Sequence, residues 1–98
     1  MKQYPKGYAL LYFQRMAMAA GMDTAQLLDI VESAQTLADH GDGAEAIRKA
    51  LQEEFITVAT FTVIPISGFY SVDVVAKDNG ANRYEPRIYV PVIHTRRA

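Results

Sequence analysis

Residues Phe55–Val72 read FITVATFTVIPISGFYSV, without a single charge. The stretch is rich in β-branched and aromatic side chains, which suit a pleated, half-buried surface. It predicts a first strand over Ile56–Ile64, with Ala59, Phe61 and Val63 on one side and Thr60 and Thr62 on the other. Ser67-Gly68 supplies the turn into a second strand. There Tyr70, Val72, Val74 and Ala76 alternate with Ser71, Asp73 and Lys77, the pattern of a strand with one wet face. Asp78-Asn79-Gly80 opens a further turn, in a loop running to about Pro86. A last strand points Ile88, Val90 and Val92 inward and Arg87, Tyr89 and Pro91 outward.

The chain before this stretch has helical periodicity. Residues 1–7 form a lead-in that Pro5 and Gly7 keep irregular. A helix is predicted over Tyr8–Ala20, with Leu10, Leu11, Phe13 and Ala17 at helical spacing and Gly21 as its left-handed terminator. Asp23 and Gln26 form a capping box for a second helix, with Met22 and Leu27 stapled across it. Leu27, Ile30, Val31, Ala34, Leu37 and Ala38 make its apolar stripe, and His40-Gly41 closes it. Asp42 and Glu45 suggest a second capping box. The third helix then turns Ile47, Ala50, Leu51 and Phe55 inward and Arg48, Lys49, Gln52 and Glu53 to water.

These elements assemble most simply as one α+β domain spanning residues 1–98. Three N-terminal helices (8–55) pack on one face of a three-stranded antiparallel meander (56–93), followed by a short basic tail (94–98). Pro91 places the last strand at an edge, because proline cannot donate to a ladder. Tyr70–Lys77 is then central, and Ile56–Ile64 is the other edge. A long uncharged edge is unusual, since natural edges carry charges, prolines or bulges. Three explanations stand side by side: something covers it, the strand order differs, or it pairs with a partner through Val58, Thr60, Thr62 and Ile64.

Composition narrows the class. Half the residues are hydrophobic, about a fifth are charged, and the net charge is −1, the mix of a globular chain with no global pull toward nucleic acid. There are no cysteines, which removes disulfides, thiolate metal sites and a cysteine nucleophile. The apolar run Tyr8–Met22 is split by Gln14 and Arg15, leaving it too short for a secretory signal or a bilayer span. The expectation is a soluble, cytoplasmic protein. Charge is uneven: residues 23–54 hold eight acids and two bases, a balance of −6, whereas residues 56–98 hold five bases and three acids, a balance of +2.

Ala17, Gly21, Leu27 and Ile30 stand at the spacing of a small residue, a turn glycine and two core residues in a helix-turn-helix. Over about twenty residues the chain thus resembles the general DNA-binding motif, and the resemblance implies a transcriptional regulator. The outward positions of its recognition helix are Asp23, Thr24, Ala25, Leu28, Asp29 and Glu32. Carboxylates there repel phosphates, and no arginine or lysine is present to read guanine. Arg83, Arg87, Arg96 and Arg97 beside Tyr84, Tyr89 and His94 suggest base stacking, but such residues also decorate any wet sheet face. His40 and His94 lack companions at metal-ligand spacing, and Asp39–Gly43 is too short for a calcium loop. No phosphate-binding glycine loop or nucleophile elbow occurs.

No residue set for catalysis, cofactor or metal emerges. The expected function is a non-catalytic regulatory protein that binds another protein or itself. Its candidate contacts are the acidic helical residues Asp29, Glu32, Asp39, Glu45 and Glu53, suited to a basic partner, and the uncharged strand edge. This gross character is similar to that of small phage and mobile-element accessory proteins, including inhibitors of nucleic-acid machinery, an analogy of type carried by no motif. The alternative is the helix-turn-helix regulator.

Overall fold

The computed structural model describes residues 10–77 and 85–92. The expected lead-in 1–7, the Asp78-Asn79-Gly80 turn, the tail 94–98, and the residues Arg83, Tyr84, His94, Arg96 and Arg97 lie outside them. Helices α1 (Leu10–Ala20), α2 (Thr24–Asp39) and α3 (Ala44–Glu54) precede strands β1 (Ala59–Ile66), β2 (Phe69–Ala76) and β3 (Arg87–Pro91). The strands form one antiparallel sheet in the order β1-β2-β3. The αααβββ arrangement, the central position of β2 and the edge position of β3 therefore stand as expected.

Local chemistry sets the helix boundaries. The α1 C-terminus closes with Gly21 at φ 73, which lets Met22 N–H reach the Ala17 carbonyl at 2.8 Å and Gly21 N–H reach Met18 at 3.2 Å. These two bonds form a Schellman motif, and glycine takes its left-handed position without the steric penalty other residues meet. Gly41, at φ 90, repeats it after α2: Asp42 N–H bonds Leu37 and Gly41 N–H bonds Ala38. Asp23 and Gln26 form the expected capping box on α2, with Asp23 N–H 3.4 Å from Gln26 Oε1.

The expected Asp42–Glu45 box is not formed. Asp42 is consumed by the turn that ends α2, so Gly43 becomes the N-cap of α3 and Glu45 moves into its first turn. In α1 the buried face is Phe13, Met16, Ala17 and Ala20; Leu10 and Leu11, expected inside, are exposed. The first strand is also displaced. The Phe55 carbonyl accepts N–H bonds from both Val58 and Ala59, so residues 55–58 turn rather than extend. β1 begins at Ala59 and runs on through Pro65 to Ile66, leaving Ile56, Thr57 and Val58 outside it.

Helix α3 packs over β1, α2 over β3, and α1 against α2. The sheet face beneath them contributes Ala59, Phe61, Val72, Val74, Ile88 and Val90 to one core, together with Phe13, Leu27, Ile30, Ile47 and Leu51. Tyr70 spans the two layers, its hydroxyl donating to the Asp42 carbonyl at 3.0 Å and tying the α2–α3 turn to the central strand.

Urea denaturation checks this account. Asp23→Ala should cost about 1 kcal/mol as a lost cap. Gly41→Ala should cost about 1–2 kcal/mol, because a Cβ there meets nothing within 4 Å and the loss is backbone strain alone. Asp42→Ala should change stability by less than about 0.5 kcal/mol.

Candidate interaction surface

Backbone geometry decides what each sheet edge offers. In an antiparallel pair, alternate residues direct both N–H and C=O at the partner. Lys77 N–H bonds the Val58 carbonyl, so the even-numbered residues of this strand face β2. The outward groups belong to the odd residues Ala59, Phe61, Val63 and Pro65. The edge groups expected on Thr60, Thr62 and Ile64 are thus turned into the ladder, one residue out of phase, and Val58 precedes the strand.

Much of the edge is already occupied. Gln52, expected to face water, lies against β1: its Nε2 donates to the Ala59 carbonyl at 2.9 Å, and Phe61 N–H donates to its Oε1 at 3.3 Å. A single primary amide thus takes the place a neighbouring strand would fill. Pro65 removes the outward donor further along, leaving Phe61 C=O and the two groups of Val63 between the blocks. The opposite edge is met at one end. Gln35 of α2 donates from Nε2 to the Pro91 carbonyl at 3.0 Å and to Asp39 Oδ1 at 2.9 Å. Pro91 turns its missing N–H away from β2, because Val74 and Val92 donate on the β2–β3 side. Side chains from the helical layer and proline together blunt both edges.

The sheet face turned away from the helices is open. Its rows run Thr62–Asp73–Arg87, Ile64–Ser71–Tyr89 and Ile66–Phe69–Pro91 across the three strands. Ile64, Ile66, Phe69 and Tyr89 are exposed by 48, 44, 41 and 40 %. Their adjacency makes an apolar patch at the β1–β2 hairpin end, and such patches on monomers are often functional. Ser71 sits at its centre with only 7 % exposure, shielded between the larger flanking side chains. Beyond the patch, Arg87 Nε donates to Asp73 Oδ1 at 2.8 Å. The Asp73 carboxylate, and secondarily Tyr89, raise the Arg87 pKa above its ordinary value.

The acidic candidates do not gather in one place. Glu32 and Glu54 line a groove of about 500 Å³ between α2 and α3, bridged where Ser33 Oγ donates to Glu54 Oε1 at 3.1 Å. Asp39 accepts from Gln35, Glu45 is held by Arg48 at 2.6 Å, Asp29 is half-buried, and Glu53 is exposed. Hydrogen bonding to Arg48 lowers the Glu45 pKa. Helix α2, the recognition helix of the helix-turn-helix reading, has no lysine or arginine and buries Leu27, Ile30, Val31, Ala34 and Ala38. Among the described residues, no three His, Asp or Glu side chains are placed to hold a metal ion, and no helix is long and apolar enough to cross a membrane. Sequence reasoning passed over Ile66 and Phe69. The available signal was the run Val63-Ile64-Pro65-Ile66, apolar at both parities where one wet face calls for alternation.

Comparison with protein families, curated proteins and solved structures finds no match to this chain.

Two measurements test the site. In Gln52→Ala the Phe61 amide should exchange with solvent faster and the fold should lose about 1–3 kcal/mol, as a part-buried donor and acceptor lose their partner. The Val63 amide should exchange rapidly in both proteins. In an NMR titration, Glu45 should titrate below the usual carboxylate range and return to it in Arg48→Ala. Its pairing then favours the fold above that range and is lost as pH falls through the lowered pKa.

Proposed function

We propose that this chain is a non-catalytic protein-interaction module whose contact surface is the helix-free face of its sheet. The observation that carries the reading is the exposure of Ile64, Ile66, Phe69 and Tyr89 on a face that no element of the described chain covers. Aromatic and aliphatic side chains grouped on a rigid scaffold are the usual anchors of protein interfaces. Charge supports a division of labour. The helical segment, at −6 over residues 23–54, steers basic partners and repels acidic ones. The sheet face is nearly neutral and supplies buried area.

Affinity capture from the native cell tests this, comparing the wild-type chain, the face variant Ile64→Lys/Tyr89→Lys and the helix variant Asp29→Lys/Glu32→Lys. The face variant should lose the captured partner. The helix variant should bind more weakly, with a reduced dependence on salt. Capture of the same partner at undiminished yield by the face variant would overturn the proposal.

A further inference from the structure

On the strength of that reading, we infer that the open sheet face seats a second copy of this chain, giving a twofold, face-to-face dimer layered helix–sheet–sheet–helix. The first argument is shape. Phe69 and Ser71 lie two residues apart on the central strand and point to the same face. Phe69 stands out with 41 % exposure, whereas Ser71, at 7 %, is the floor between Ile64 and Tyr89. Prominence and recess therefore occur side by side, about 7 Å apart along the strand. A twofold axis passing between them lays each Phe69 over the other copy's Ser71. This is the self-complementarity an isologous interface requires, with residue i meeting j and j meeting i.

The second argument is charge. Among the described residues, the charged side chains of β2 and β3 on this face are Asp73 and Arg87, and they neutralise each other at 2.8 Å. Two such faces meet without repulsion, whereas two α2–α3 surfaces bring like charge together. The third argument is area. Three strands of up to eight residues give a footprint of roughly 14 by 27 Å. Two of these cover at most roughly 760 Å² in projection, below the roughly 1,200 Å² at which standard specific interfaces begin and in the range of weak contacts. A reversible dimer follows, with sheets packed about 10 Å apart as in other sheet-on-sheet contacts. On the β1 edge the glutamine and the proline leave a window only about one residue wide.

Sedimentation equilibrium from micromolar to millimolar protein tests the inference, with circular dichroism confirming that each variant is folded. The wild-type chain should dimerise reversibly, and added salt should not weaken the dimer. Phe69→Lys should weaken it at least about tenfold, as should Ser71→Phe, which fills the recess. Hydrogen exchange should leave the outward Val63 amide unprotected in the dimer. A monomer at the highest concentration, a dimer indifferent to both variants, or protection of Val63 on dimerisation would each overturn the second-copy inference. If the chain is monomeric but Ile64→Lys/Tyr89→Lys still loses a captured partner, the interaction-module reading stands and only the identity of the occupant fails.

Discussion

Everything in this protein rests on burying one face of a small sheet beneath one layer of helices. Phe61, Val72, Val74, Ile88 and Val90 are buried only because Leu27, Ile30, Ile47 and Leu51 lie across them. An apolar sheet face has to be buried against another layer, so the helical layer is part of the sheet's existence. The same layer also sends two glutamine amides over its rim to the strand edges, Gln52 to β1 and Gln35 to β3. Core packing and edge protection are therefore linked, with the β1 border blocked at Ala59 and Phe61 and the β3 border at Pro91.

The architecture was readable because its signals agree at several levels. The Asp23–Gln26 box, the glycine terminators at Gly21 and Gly41, and the alternation from Tyr70 to Ala76 each specify a local state, and these states are mutually compatible. What escaped depended on neighbours distant in sequence. Ile56-Thr57-Val58 has β-branched composition, yet the Phe55 carbonyl captures the chain in a turn before it extends. Asp42 has a capping residue's identity, but the preceding glycine motif had already claimed its backbone. Gln52 sits on the polar side of its helix, and nothing in the helix reveals that a strand edge lies within reach. Outward direction in a periodic pattern is not the same as exposure to solvent.

The candidate surface was legible only in part. Alternation places Tyr89 outward, but it presents Ile64 as an edge residue rather than a face residue. That distinction requires the register, which shows Ile64 opposite Ser71 and Ser71 opposite Tyr89. The acidic residues are countable from composition, but their surroundings are not: Glu45 is engaged by Arg48 and Asp39 by Gln35, while Glu32 and Glu54 line one groove in which Ser33 bonds Glu54. A sum over a segment describes a field, and only coordinates resolve it into contacts.

The manner in which the borders are sealed has a consequence for how chains of this kind can go astray. An amide side chain imitates a strand reversibly, unlike a loop or a further strand. Strand exchange or fibrous growth at β1 must first displace the Gln52 carboxamide from Ala59 and Phe61, and even then Pro65 halts propagation after a few residues. The barrier is local, built from one amide and one pyrrolidine ring, and it leaves the broad face of the sheet untouched. Such a chain can remain sticky across its surface while staying resistant to polymerising along its edge.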